Sequence, residues 1–98
     1  MELDEIKRKT AAGEIEFTRN VLFFSLELGF DKAGILEFVA SMEPGFKQKE
    51  MQSDKHPGVV QHVFRVPFRG QVWYVKFTSE GPHGLRLVTL KWKRKHTE

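Results

Sequence analysis

The chain has no cysteine, and it also lacks any long uninterrupted apolar run. The first absence excludes disulfides, a cysteine nucleophile, iron–sulfur clusters and zinc sites that need thiolate ligands. The second excludes a transmembrane helix, which needs about 20 apolar residues, and the N-terminal segment has no apolar signal-peptide core. We therefore expect a cytoplasmic protein that is not inserted into a membrane.

The 98 residues contain ample material for a core, with 40% hydrophobic residues and nine phenylalanines. A chain of this length typically forms one domain and buries roughly two-thirds of the surface that it exposes when unfolded. The sequence contains no repeat, flexible linker or low-complexity tract that would divide it. We expect a single domain over residues 1–98.

The hydrophobic period changes along the chain. Up to about residue 42 the apolar residues recur at helical spacing, and the capping residues Thr18 and Asp31 precede two of the predicted helices. The period then becomes two, which predicts strands over residues 46–51, 59–67, 71–78 and 85–93. The predicted fold class is α+β, with two to three N-terminal helices packed on one face of a three- to four-stranded antiparallel sheet.

The charges are distributed unevenly between the two halves. Residues 1–50 carry ten acidic and seven basic side chains, whereas residues 51–98 carry three acidic and nine basic ones. The overall net charge of +3 therefore divides into −3 and +6. A basic half suggests a polyanionic partner such as nucleic acid, although a solvated basic surface would have the same composition.

Strand alternation assigns each residue of the sheet to one of its two faces. The apolar sets belong against the helices, and the third long strand contributes Val88, Leu90 and Trp92 to them. The opposite face, which we call the predicted polar face, collects eight side chains: Lys47, Lys49, Gln61, Arg65, Tyr74, Lys76, Lys91 and Lys93. Most of the positive charge of the second half is thereby predicted to lie on one surface.

This predicted polar face has two interpretations. Antiparallel sheets commonly expose one polar face to water, and lysine is frequent there. Exposure to water explains why the face is polar, but it does not explain why the charges are almost all positive. Glu80 in a turn is the sole acidic residue between Arg65 and Lys93. A cluster of one sign repels itself unless an anion occupies it. We therefore favour a surface that binds the phosphate backbone of nucleic acid.

Motifs for metals and nucleotide cofactors are absent from the sequence. The four histidines show no ligand spacing, and no Walker loop, dinucleotide fingerprint or nucleophile elbow occurs. We therefore expect no metal and no cofactor, and we expect His62 to be a core residue. RNA can be cut without a metal, because its 2′-hydroxyl can attack the adjacent phosphate while cations stabilise the pentacoordinate phosphorus. The pattern permits this chemistry without requiring it.

A family resemblance extends over nearly the whole chain. It is carried, in order, by FTR from residue 17, LGFD from residue 28, SM from residue 41, FKQKEM from residue 46, VQHVFRVP from residue 60 and GQVWYVKF from residue 70. Together these fragments resemble the MqsR family, the mRNA-cleaving toxins of bacterial toxin–antitoxin pairs. The resemblance implies a RelE-like α+β fold, ribosome-independent cleavage of mRNA without a metal, and neutralisation by a cognate antitoxin.

The resemblance also implies site residues, all of which alternation assigns to the predicted polar face. The catalytic positions of the family correspond to Lys49, Gln61, Tyr74 and Lys93, and the RNA-binding residues are Arg65, Lys76 and Lys91. The tyrosine and serine that flank the first lysine in the family are missing here. Trp73, an additional aromatic residue directly before Tyr74, is an alternative for the family's tyrosine.

Three function hypotheses follow. The leading one is a toxin of a type II toxin–antitoxin system, an endoribonuclease that cuts mRNA by 2′-hydroxyl attack and leaves a 2′,3′-cyclic phosphate. The alternatives are a non-catalytic RNA-binding module that uses the same basic surface, and a protein-interaction domain whose basic surface meets an acidic partner. Only the first predicts RNA fragments as products.

Overall fold

The computed structural model describes residues 2–52 and 56–92. The helices are α1 (Leu3–Ala11), α2 (Arg19–Glu27) and α3 (Lys32–Ala40). The strands are β1 (Glu16–Phe17), β2 (Lys47–Gln52), β3 (Val60–Phe68), β4 (Gln71–Thr78) and β5 (Arg86–Trp92), and a single 3-10 turn spans Pro44–Phe46. The predicted α+β class is confirmed, with three helices packed against the sheet.

Helices α2 and α3 begin where the sequence supplies a cap. The Thr18 hydroxyl accepts a hydrogen bond from the backbone N–H of Val21 at 3.4 Å, and the Asp31 carboxylate accepts one from Gly34 at 2.8 Å. Each bond satisfies a backbone donor that has no partner inside its own helix. Within the described ranges, no helix has the length and apolar character that crossing a bilayer requires.

The sheet has the order β1-β5-β4-β3-β2, and its last four strands form the predicted antiparallel meander. β1 was not predicted: it pairs parallel to β5, so the sheet is five-stranded and mixed. Two residues are too short to show a period, which is why sequence patterns miss this strand. An ion pair fastens it, because the Nε and Nη2 atoms of Arg86 lie 2.8 and 2.7 Å from Glu16 Oε1.

Strands β3 and β4 are joined by a two-residue turn, which matches the predicted tight connection. Arg69 and Gly70 have φ angles of 52° and 77°, the pair of positive values that a type I′ hairpin requires. The Arg69 guanidinium lies over the rings of Phe30 and Phe68, 5.0 and 5.2 Å from their centroids. The turn fixes the register of β3 against β4, and with it the residues that face each other across the sheet.

A bulge in β5 corrects the predicted alternation of that strand. Lys76 pairs with Thr89 and Phe77 pairs with Leu87, so Val88 is an extra residue on β5. The core therefore receives Leu87 and Leu90, both buried, whereas Val88 is only half-buried. The expected set for this strand therefore missed Leu87, because alternation cannot be extended through a bulge.

Trp73 is the centre of the core between the sheet and the helices. Its ring stacks on Phe30 at 5.4 Å and meets Phe38 and Phe24 edge-on at 5.5 and 6.3 Å. Its indole N–H donates to the Phe68 carbonyl at 2.9 Å, so its polar atom is satisfied. One residue of β4 thus holds α2, α3 and the segment between them against the sheet.

His62 is buried in the same layer, 1% exposed, as predicted for a core residue. Neither ring nitrogen has a hydrogen-bond partner among the described residues, and Nδ1 lies 3.6 Å from Glu50 Oε1. Burial lowers the pKa of His62 below its ordinary value, and the Glu50 carboxylate opposes this only in part. Glu50 is itself bonded to Lys47, which lowers the pKa of its carboxyl group.

Removal of the central indole should cost far more stability than removal of its neighbour on the opposite face. We expect Trp73→Ala to lower the free energy of unfolding by about 3–5 kcal/mol, because it empties the site on which three phenylalanines pack. Tyr74→Ala, one residue further along β4, should cost only about 1 kcal/mol. Urea denaturation measures both, and equal costs would contradict the assignment of Trp73 to the core.

The buried histidine predicts a pH dependence of stability. Below about pH 6.5 the unfolded chain binds a proton at His62 more readily than the folded chain does, so the free energy of unfolding falls as the pH decreases. The slope from this group is at most about 1.4 kcal/mol per pH unit. Between pH 7 and 5, His62→Phe should flatten the slope, whereas replacement of the exposed His83 by Gln should leave it unchanged. A slope that survives His62→Phe would contradict this origin.

Candidate nucleic-acid interface

Six of the predicted site residues project from one face of the sheet, which we call the basic face. They come from four neighbouring strands, and they are Lys49, Gln61, Arg65, Tyr74, Lys76 and Lys91. Neighbouring strands are about 4.8 Å apart and residues rise about 3.3 Å along a strand, so the six backbone positions span roughly 14 Å in each direction. The predicted sharing of one face by these six residues is confirmed, and their chemical roles stay predictions.

The central row of the basic face contains the tyrosine. Tyr74 pairs with Arg65 on β3 and with Lys91 on β5, so a cation stands on each side of it. The Lys91 ammonium lies 5.7 Å from the centroid of the Tyr74 ring, within the range of a cation–π contact. Arg65 and Lys91 are exposed, and Tyr74 is half-buried.

The next row is built around Val63. This valine pairs with Lys49 on β2 and with Lys76 on β4, and it is only 1% exposed although it belongs to the basic face. The aliphatic stems of flanking lysines can cover such a residue while their ammonium groups stay in water. Gln61 lies two residues before Val63 on β3 and shares its face, half-buried.

The remaining two residues of the predicted polar face, Lys47 and Lys93, are not among the six residues of the basic face. A bulge between Lys47 and Lys49 places Lys47 opposite Phe64, so Lys47 faces the helix side and pairs with Glu50 there. Its assignment to the predicted polar face was wrong, because β2 does not alternate strictly at this point. Lys93 lies outside the described residues, and its catalytic role stays a prediction.

The two candidates for the family's tyrosine lie on opposite faces of the sheet. Trp73 is 3% exposed and its ring packs among the phenylalanines, whereas Tyr74 occupies the middle of the basic face. Adjacent residues of a strand point to opposite faces, so only one of the two can meet a ligand on this surface. That residue is Tyr74.

The described carboxylates do not pair with the cations of the basic face. Among the described residues, no ion pair involves Lys49, Arg65, Lys76 or Lys91. Glu80, the sole acidic residue in this part of the sequence, lies 3.5 Å from Arg86 and accepts a hydrogen bond from Thr78 at 2.8 Å. The one carboxylate between Arg65 and Lys93 in the sequence is therefore engaged with Arg86 on β5, and within the described ranges these four like charges have no carboxylate partner.

Sequence reasoning missed a cleft at one end of this face. It has a volume of about 250 Å³ and is lined by Arg65, Val72, Trp73 and Tyr74. Val72 is 54% exposed, and alternation along β4 already assigns it to the face of Tyr74. Its apolar character explains why a search for charged and catalytic residue types passes over it. The described residues contain no group of three or more histidine or acidic side chains arranged for a metal ion.

The uncompensated charge predicts that a polyanion stabilises the fold. We expect a short linear polyphosphate to raise the Tm, by roughly 4–8 °C for each kcal/mol of binding free energy. The double variant Lys76→Gln/Lys91→Gln should lose most of this shift. Lys7→Gln/Lys32→Gln, which removes two positive charges from α1 and α3, should keep it. Equal shifts in the two double variants, measured by thermal unfolding, would show that the basic face is not the preferred anion site.

The sequence was also compared with known proteins. A family model described as "Motility quorum-sensing regulator, toxin of MqsA" matches residues 1–91, which is nearly the full length of the chain. The comparison with curated proteins found no match. The chain therefore belongs to the MqsR toxin family and is a toxin of a toxin–antitoxin system.

Proposed function

We propose that the protein is a metal-independent endoribonuclease that cleaves mRNA in the cytoplasm and is neutralised by a cognate antitoxin. The single observation that carries this proposal is the central row of the basic face, in which Tyr74 stands between Arg65 and Lys91. A hydroxyl flanked by two cations suits a phosphodiester, whose charge increases at the non-bridging oxygens when a fifth ligand adds to phosphorus. Membership of the MqsR family supports the toxin function and an antitoxin partner.

In the proposed reaction the 2′-oxygen attacks the adjacent phosphorus, and the bond to the 5′-oxygen of the next nucleotide breaks. The 2′-hydroxyl loses its proton and the leaving 5′-oxygen gains one, so the products are a 2′,3′-cyclic phosphate and a 5′-hydroxyl. Tyr74 and Lys49 are proposed to move these protons or to stabilise the charge that develops. Gln61 is proposed to orient the substrate.

The remaining cations are proposed to hold the RNA. Arg65 and Lys91 flank the tyrosine, and Lys76 lies one row away on the same strand as Tyr74. Arginine binds phosphate through two parallel hydrogen bonds, whereas lysine acts as a point charge. Lys93, which follows Trp92, is proposed to contribute a further catalytic cation on the basis of the family resemblance.

Incubation of the purified protein with mRNA in excess EDTA tests the reaction. We expect fragments that end in a 2′,3′-cyclic phosphate, and no cleavage of the corresponding single-stranded DNA, which lacks the nucleophile. Tyr74→Phe and Lys49→Ala should each reduce the rate by on the order of 100-fold, because each removes a group that acts on the transition state. Lys32→Ala, at the start of α3 in the helical layer, is the matched control and should leave the rate unchanged.

Intact RNA after incubation with the wild-type protein would contradict the proposal. Salt-dependent RNA binding without fragments would identify a non-catalytic RNA-binding module instead. Cleavage that survives the combined Lys49→Ala and Tyr74→Ala changes would show that the basic face is not the catalytic site.

A further inference from the structure

The cleft on the basic face combines apolar and planar walls. Val72 and Tyr74 are two residues apart on β4, so their side chains rise from the same face about 7 Å from each other. The Trp73 side chain between them is directed to the helices, which leaves the β4 backbone as the floor of the cleft. Arg65 closes the side towards β3, directly opposite Tyr74.

A second exposed apolar residue lies beside the valine of this cleft. Pro67 pairs with Val72 across β3 and β4, and both residues are exposed. Isolated exposed apolar side chains are ordinary on protein surfaces and require no explanation. Here, however, the valine lines a concave site together with Tyr74 and Arg65, and Pro67 is its neighbour across the two strands. A phosphate group alone would form no favourable contact with an apolar wall.

The position of the charges determines which part of a nucleotide would enter the cleft. Lys91 contacts the Tyr74 ring from β5, and Arg65 lies opposite Tyr74 on β3, so the cations flank the tyrosine on its two sides. A base has a flat apolar surface that stacks on aromatic rings and on arginine planes, and its phosphates carry the charge. A base inside the cleft would therefore leave its own phosphates within reach of Lys91, and the Arg65 guanidinium can offer its flat face to the base while its edge donates to a phosphate.

From this geometry we propose that the cleft is a base-binding subsite, which holds one unstacked nucleobase of a single-stranded RNA. Val72 forms the apolar wall that determines which bases fit, and Arg65 supplies the plane on which the base stacks. This inference rests on the proposed function, because it concerns the same face and an RNA substrate. It adds a recognition element that acts on the base, whereas the other cations act on the backbone.

Binding of oligonucleotides that cannot be cut tests this subsite independently of catalysis. A 2′-O-methyl RNA lacks the free 2′-hydroxyl, and an abasic oligonucleotide with the same number of phosphates lacks the bases. We expect Val72→Ala to weaken binding of the base-bearing oligonucleotide by on the order of 5-fold, and to leave binding of the abasic one unchanged. Leu26→Ala, which truncates a 71% exposed residue of α2, is the matched control and should change neither affinity.

A second variant separates stacking from charge. Arg65→Lys keeps the positive charge but removes the planar guanidinium, so it should also weaken base-bearing oligonucleotides more than abasic ones. Among 2′-O-methyl homopolymers of the four bases, Val72→Ala should change the order of affinities, because the wall that selects among them is gone. Fluorescence anisotropy at constant ionic strength measures all of these affinities.

Three outcomes would overturn the base-binding subsite. They are an unchanged affinity in Val72→Ala, an equal loss for base-bearing and abasic oligonucleotides, and an unchanged order among the four homopolymers. None of them depends on cleavage, so an inactive protein can still support the subsite. Conversely, an active ribonuclease whose Val72→Ala variant binds all oligonucleotides as the wild type does would retain the proposed function and lose this inference.

Discussion

The packing of one indole against three phenylalanines joins the helices to the sheet and thereby orients both faces of β4. Trp73 is the residue of β4 at which α2, α3 and their connection meet the sheet, and its N–H is satisfied by a backbone carbonyl. Because side chains alternate along a strand, fixing Trp73 towards the helices also fixes Tyr74 towards the opposite surface. The core contact thereby determines the orientation of the central residue of the basic face.

The two faces of the sheet have opposite physical requirements. The helix side is apolar and closely packed, and even its one buried histidine is held towards the uncharged form. The basic face instead concentrates like charges, which repel one another and do not stabilise the fold. A rigid sheet tolerates this arrangement because the register is held by backbone hydrogen bonds and by the core on the other side. An anionic ligand that binds to the basic face would therefore relieve this repulsion between the cations.

In the function that we propose, different groups of this face recognise the base and act on the phosphate. Cations act on the phosphates of any RNA, irrespective of its sequence. An apolar wall such as Val72 contributes only where a base is unstacked, and it therefore introduces a dependence on the base. The concave site and the cationic row share Tyr74 and Arg65, so selection of the base and orientation of the phosphate are geometrically coupled.

Local period and capping chemistry were enough to predict the α+β class, the helix caps and the sharing of one face by six site residues. The features that depend on pairing between strands required the three-dimensional structure: the parallel strand β1, the bulges in β2 and β5, and the cleft beside Val72. Alternation predicts a face only while the register is unbroken, and a bulge leaves no local signal in composition. Alternation already placed Trp73 and Tyr74 on opposite faces, and the packing of the phenylalanines shows that the helices cover the face of Trp73.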